Sequence, residues 1–282
     1  MVDRPAGPAT SAIVGRLRAA GCVFAEDEAR LLVGTATSEA ELAAMVDRRV
    51  AGLPLEHVLG WAEFCGLRIT VGPGVFVPRR RSEFLVGQDV DALMSDVSST
   101  KVPVLLDLCC GSGALGLAVA TALGRADNEG WERGAAEPVA AELHAADIDP
   151  GAAAYARRNV AAIGGHVHVG DLYAALPADL RGRIDLIVVN APYVPTTELH
   201  FMPAEARMHE PLVALDGGSD GVAIHRRVAA DAPKWLAPAG RLLIETSERQ
   251  APLTEAAMAE AGLTTSVVTD DDIETTVVIG RA

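Results

Sequence analysis

Aromatic side chains are scarce in this 282-residue chain: five Phe, three Tyr and three Trp make up 4% of it. Its core must be built from aliphatic residues, and a hydrophobic share of 50% supplies them while arguing against disorder. Cysteine is also rare. Cys22, Cys65, Cys109 and Cys110 form no Cys-x-x-Cys pair and show no zinc-ligand spacing, so no metal is expected and the thiols read as reduced. Lysine is almost missing; Lys101 and Lys234 are the only two, a bias that points to a GC-rich gene and carries no mechanism. Positive charge as a whole is short, with 24 Lys and Arg against 38 Asp and Glu and a net charge of −14. Proteins that coat nucleic acids by neutralising phosphates have the reverse balance, so no DNA partner is expected. No apolar run approaches the ~20 residues a membrane-spanning helix needs. The opening MVDRPAGPAT has no apolar centre of the kind an export signal carries. No membrane association and a cytoplasmic location are therefore expected.

What is present is an ordered succession of patterns, without a repeat at solenoid periods. Residues 11–20, 25–34 and 38–51 carry helical patterning, and Ser38 precedes Glu41 by the spacing of a capping box. Between 60 and 77, Phe64, Leu67, Ile69, Val71, Val75 and Val77 sit among glycines and Pro73, which predicts a β-hairpin. Beyond it, apolar runs at 102–110, 142–149, 166–171, 184–190, 241–247, 264–271 and 274–281 alternate with helical stretches near 114–123, 150–163, 219–236 and 250–262. Alternation of this kind predicts an α/β fold with a mainly parallel, helix-covered sheet. The last two runs leave no room for a helix between them, so they should pair antiparallel and make the sheet mixed. Residues 124–141 read as an insertion, and 191–218 as a long segment at the ligand-binding edge.

Asp107-Leu108-Cys109-Cys110-Gly111-Ser112-Gly113-Ala114-Leu115-Gly116 runs from a strand into a helix and contains Gly-x-Gly-x-x-Gly. Alone, that pattern equally describes a tight strand–helix join without a ligand. Asp107 shifts the reading. A carboxylate there repels a dinucleotide's pyrophosphate. It suits a ligand bearing an ammonium and a sulfonium, which describes S-adenosylmethionine. Asp147 ends the next strand, where an acidic side chain accepts hydrogen bonds from ribose hydroxyls. Asp149 competes for that role but is better placed to cap the helix starting at Pro150. Asp171 ends the third strand, within reach of an adenine amino group or simply on a surface loop. The expected cofactor shell is Asp107, Cys109, Gly111, Ser112, Gly113, Asp147, Ile148, Asp171, Leu172 and Asn190.

The fourth run leads straight into Asn190-Ala191-Pro192-Tyr193. This resembles the Asn-Pro-Pro-Tyr motif of the protein-(glutamine-N5) methyltransferases, the HemK/PrmC family that modifies the Gly-Gly-Gln glutamine of peptide-chain release factors. The likeness extends over nearly all the chain beyond residue 48. It includes Arg49, Gly52, Pro54-Leu55, Gly60, Glu63-Phe64, Gly66-Leu67, Val77-Pro78-Arg79 with Glu83, and Glu210-Pro211…Ala214-Leu215…Gly217-Gly218…Asp220-Gly221. The resemblance implies a Rossmann-like, seven-stranded mixed sheet of the class I S-adenosylmethionine-dependent methyltransferases, with S-adenosylhomocysteine as product and a release factor as protein substrate. It implies catalytic roles for Asn190, Ala191, Pro192 and Tyr193. It also implies a helical substrate-docking domain (1–58), a hairpin linker (59–78) and a methyltransferase domain (79–282).

An amide nitrogen is a poor nucleophile because its lone pair is delocalised into the carbonyl. Acceptors for both of its N–H groups, from the Asn190 side chain and the Ala191 main chain, would orient it, with Tyr193 packed beside the flat amide. Ala191 stands where the family has proline. It keeps the carbonyl but adds an N–H and frees φ, which points to a paralogue branch with an altered acceptor pocket. Two other functions fit parts of the sequence: methylation of an exocyclic amine on a nucleic-acid base or small molecule, and a non-catalytic binding module. The retained Asp107, Gly111, Gly113, Asp147 and Asn190 count against the module. The histidines are scattered, with structural or surface roles. Arg79-Arg80-Arg81 reads as a solvated turn that could also meet a partner.

Overall fold

A computed structural model describes residues 8–88, 102–126 and 141–282. Its first part is helical: α1 (Pro8–Ala19), α2 (Ala25–Thr35), α3 (Glu39–Val50) and the short α4 (Leu55–Leu59). Leu17, Ala25, Ala29, Leu32, Met45, Val46 and Val58 form a core cluster of their own. At the start of α3, Glu41 N–H donates to Ser38 Oγ at 3.2 Å. The Glu41 carboxylate accepts from the Thr37 N–H and hydroxyl, one residue further back than a capping box requires. At its end Arg49 pairs with Glu28 at 2.7 and 3.0 Å and reaches Glu205 at 3.1 Å.

The expected hairpin is present but shorter than 60–77. Only β1 (Trp61–Phe64) and β2 (Leu67–Thr70) pair, antiparallel. Val71 N–H still reaches the Gly60 carbonyl at 3.1 Å, but α4 ends at Leu59, so no described partner strand faces the residues beyond, and Val75 and Val77 are buried outside the ladder. A short helix α5 (Glu83–Gly87) follows.

The large sheet contains β3 (Val104–Leu108), β4 (Glu142–Asp147), β5 (His166–Val169), β6 (Ile184–Val189), β7 (Leu236–Thr246), β8 (Thr264–Asp270) and β9 (Thr275–Arg281). It is covered by α6 (Ala114–Ala126), α7 (Pro150–Val160), α9 (Ala223–Asp231) and α10 (Ala251–Glu260), with the short α8 (Ala204–His209) in the connection after β6. The strand order is β5-β4-β3-β6-β7-β9-β8. Neighbours pair parallel except at β9, which is antiparallel to both β7 and β8. This is the seven-stranded mixed sheet of the class I methyltransferases. The final hairpin forms as expected, with buried Val277 and Val278 on β9 taking the interior place and the more polar β8 the edge. The helix expected over 219–236 is shorter. Pro233 has no N–H to continue α9, which gives way to a 3-10 turn at Ala232–Lys234. Most of the expected insertion, residues 127–140, lies outside the described residues.

Two cores flank the sheet, one around Leu105, Leu143 and α6, the other around Leu106, Ile187, α9 and α10. The crossovers β3–β4–β5 step one way; the chain then returns to lay β6 on the other side of β3. That reversal opens a crevice at the carboxyl ends of β3 and β6. Leu108 stands opposite Val189, so the glycine-rich turn and Asn190 leave the sheet at the same level.

Candidate active site

A cavity occupies this crevice. Asp107, Cys109, Gly111, Ser112, Asp147, Ile148, Asp171, Leu172, Asn190, Ala191, Pro192 and Tyr193 all line it. Gly113 does not. It lies behind the turn, where an added Cβ would come within 3.2 Å of the Ala156 Cβ, so its part is close packing of α7.

Asp107 is 1% exposed, and its Oδ2 accepts from the Gly116 N–H at 2.8 Å. An added Cβ on Gly116 would sit 2.8 Å from the Asp107 Cβ, so the third glycine of the motif serves the carboxylate rather than a ligand. Burial pushes the Asp107 carboxyl up to about 7, opposed by the Gly116 bond and helped by the nearby Asp147 charge. Burial raises the Cys109 and Cys110 thiols too, which keeps them protonated and unreactive. Asp147 Oδ2 accepts from Gly111 N–H at 2.8 Å and Oδ1 from Asp149 N–H at 2.9 Å. Asp149 in turn caps α7, accepting from Gly151 N–H at 2.7 Å, as the sequence predicts. Asp171 pairs with Arg227 at 2.7 Å at the open end. Neither Asp107 nor Asp147 has an ion-pair partner among the described residues. Two acidic side chains without an ion-pair partner, both lining the cavity, fit S-adenosylmethionine, with its ammonium, sulfonium and ribose hydroxyls.

Across the cavity, Asn190 Nδ2 donates to Ser82 Oγ at 3.0 Å and to Glu245 Oε2 at 3.1 Å. Its Oδ1 accepts from no described residue. Tyr193 OH donates to Glu245 Oε1 at 3.4 Å and accepts from Arg81 at 2.7 Å. Glu245 is 1% exposed; burial raises its carboxyl above the ordinary range, while Ser82, Arg81 and Tyr193 pull it back. The Tyr193 carbonyl is held by Gln250 Nε2 at 2.7 Å. Gly221, at φ +78°, makes this possible: a Cβ there would lie 2.3 Å from that carbonyl oxygen.

The arginine run is more than a solvated turn, although Arg80 is exposed. Arg79 pairs with buried Glu210, and Arg81 reaches Tyr193 and Glu245. Three histidines that look scattered in sequence do meet: His144 Nδ1 and His168 Nε2 are 3.0 Å apart, and His144 stacks on His166. Among the described residues no group of three or more side chains is arranged to hold a metal, and no helix is long and apolar enough to cross a membrane. Sequence reasoning misses Ser82, Glu245 and Gln250. The available signal for Glu245 is a carboxylate at the end of an otherwise apolar run, Leu242-Leu243-Ile244.

No protein-family model matches the chain. It is 38% identical over 207 residues to the release factor glutamine methyltransferase of Streptomyces coelicolor, covering 73% of this chain and 67% of that protein. It is 34% identical over 272 residues to the protein of the same name from Mycolicibacterium smegmatis, covering 95% and 89%. For the one from Bradyrhizobium diazoefficiens the figures are 32% over 269 residues, 89% and 85%. Among solved structures, a methyltransferase from Pyrococcus furiosus superposes with a TM-score of 0.47 at 16% identity, covering 77% of this chain and 89% of that one. Extensive identity to several relatives, on a sheet whose switch point gathers the glycine-rich turn and the Asn-Ala-Pro-Tyr segment, places this chain in the release factor glutamine methyltransferase family of S-adenosylmethionine-dependent enzymes.

Proposed function

We propose that the protein methylates the side-chain amide nitrogen (N5) of the Gly-Gly-Gln glutamine of a peptide-chain release factor, and that residues 1–58 dock that substrate. The observation that carries this reading is the orientation of Asn190: with Nδ2 committed to Ser82 and Glu245, its free acceptor is Oδ1, on a residue that lines the cavity. An acceptor is what a primary amide needs. Asn190 Oδ1 takes one N–H of the glutamine and the Ala191 carbonyl takes the other, which points the nitrogen lone pair along the cavity. Tyr193 covers the flat amide and keeps water out. Asp147 holds the ribose and Asp107 faces the positive end of the cofactor, with Gly111, Ser112, Ile148, Asp171 and Leu172 completing the wall. S-adenosylmethionine, when bound, supplies the methyl group from its sulfonium. The amide nitrogen would form the new N–C bond as the sulfur–methyl bond breaks, its electron pair staying on the sulfur of the departing S-adenosylhomocysteine, and would lose one proton to water afterwards, so no general base is needed beforehand. Positioning of this kind contributes several kcal/mol, on the order of a hundredfold or more in rate.

The test is incubation with S-adenosylmethionine and a bacterial release factor, followed by peptide mass analysis. One methyl group on the Gly-Gly-Gln glutamine, lost in Asn190→Ala with cofactor affinity intact, supports the reading. Methylation of nucleic acid or of a small amine instead would replace it.

A further inference from the structure

Glu245 is buried beneath the site and does not line the cavity. It cannot touch an acceptor amide. Yet its two oxygens serve the two polar side chains that can: Oε2 faces Asn190 Nδ2 at 3.1 Å and Oε1 faces Tyr193 OH at 3.4 Å. Ser82, 3% exposed, also accepts from Asn190 Nδ2 at 3.0 Å and bonds to Glu245. Arg81 closes the ring, 2.7 Å from Tyr193 OH and 3.6 Å from Glu245 Oε1. The ladder explains the juxtaposition. Val189 and Ile244 stand opposite each other in β6 and β7, so Asn190 and Glu245 follow at the same level.

A side-chain amide can turn over at little cost, exchanging its donor and acceptor ends. Turned over, Asn190 would offer N–H groups to a substrate that itself offers N–H groups, and the site would repel its nucleophile. An ionised carboxylate accepts only, so it permits one orientation. From this geometry we infer that Glu245 is the positioning residue that fixes the donor–acceptor polarity of Asn190, with Ser82 as the second clamp. The inference rests on the reading of Asn190 as the group that orients the acceptor amide.

The experiment reverses the polarity of the pair. Asn190→Asp alone sets two carboxylates against each other; Glu245→Gln alone lets either end of the new amide face Asn190. In the double variant Asn190→Asp/Glu245→Gln, the introduced amide NH2 donates to the introduced carboxylate. The amide oxygen still accepts from Tyr193, and the charge of the cluster is unchanged. Turnover of a release factor is measured at pH 8.5, per molecule able to bind S-adenosylmethionine, so that misfolded protein is not counted. The double variant should exceed Asn190→Asp by about tenfold or more in kcat, the size of one charge-assisted hydrogen bond, with KM for the cofactor unmoved. A merely structural Glu245 gives no such recovery, and a double variant no faster than Asn190→Asp overturns the assignment. If Asn190→Ala already turns over at the wild-type rate, the reading of Asn190 fails first, and the inference with it. A second readout needs no acceptor. The side-chain amide protons of Asn190 should exchange with water about tenfold faster in Glu245→Met than in the wild type. Equal exchange rates overturn the clamp.

Discussion

Asn159 ties Thr70 to Ser112. Its Oδ1 accepts from Thr70 N–H at 2.8 Å, and its Nδ2 donates to the Thr70 carbonyl at 2.9 Å and the Ser112 carbonyl at 2.8 Å. One side chain on α7 thus locks the last residue of the hairpin against the glycine-rich turn. Asn159→Ala removes all three bonds and should cost about 1–3 kcal/mol of stability. It should also weaken S-adenosylmethionine binding, because the turn loses its support. Thermal denaturation with and without cofactor separates the two effects; unchanged cofactor affinity would confine Asn159 to the hairpin.

The pH dependence of the site is set at Asp107. Its carboxyl, at about 7 in the folded protein against an ordinary 3.8, prefers to be neutral when buried. The stability it contributes is therefore fully present below about pH 4 and is lost as pH rises through 7. Asp107→Asn keeps an acceptor for the Gly116 N–H and removes the buried charge. It should raise the melting temperature of the free protein at pH 8 and leave it unchanged near pH 4. A bound cation favours the ionised form, so wild-type affinity for S-adenosylmethionine should climb between pH 6 and 8. In the variant, calorimetric titration should find that climb absent.

Gly221→Ala tests the support beneath Tyr193. The new Cβ would lie 1.9 Å from Gln250 Nε2 and 2.3 Å from the Tyr193 carbonyl, at a φ of +78° that alanine disfavours. The Gln250 bond to Tyr193 must break. Stability should fall by about 1–3 kcal/mol, with turnover falling further than cofactor affinity. Equal losses in both would mean that the whole cavity has collapsed.

Ala191→Pro restores the family's residue at a buried position. The carbonyl is kept, and turnover should stay within about threefold of the wild type, a change of less than 1 kcal/mol. A much larger loss would show that this loop has adapted to the alanine N–H.

The features legible in the sequence are those whose meaning is local. Asp107 to Gly116 is one strand–turn–helix, Asp149 caps the helix beginning at its neighbour, and Asn190 is marked by the residues after it. The features that escape are defined by distant partners. Asn190 meets Glu245 across 55 residues and Ser82 across 108, and Gln250 meets Tyr193 across 57. No spacing rule reports such pairings: the first comes from the register of β6 and β7, the others from turns folded against the ends of the sheet. Arg79 and Arg81 mislead for the same reason: a basic run looks solvated until Glu210 and Glu245 are folded against it. The overlong helix at 219–236 is a different kind of miss, since Pro233 is in plain view.

The position of β9 carries a consequence for the order of assembly. It comes after β8 in the chain but lies between β7 and β8, and its Val277 pairs with Glu245. During synthesis the strand that completes the sheet is the last to emerge, so β8 has nowhere to dock until it does. The glycine-rich turn and its carboxylates belong to the opposite half of the sheet and can form earlier. A nascent chain can thus build its cofactor half before Glu245 is anchored. Glu245 gains its antiparallel neighbour only when the last strand of the sheet docks, so the two halves of the site draw their support from opposite ends of the sheet.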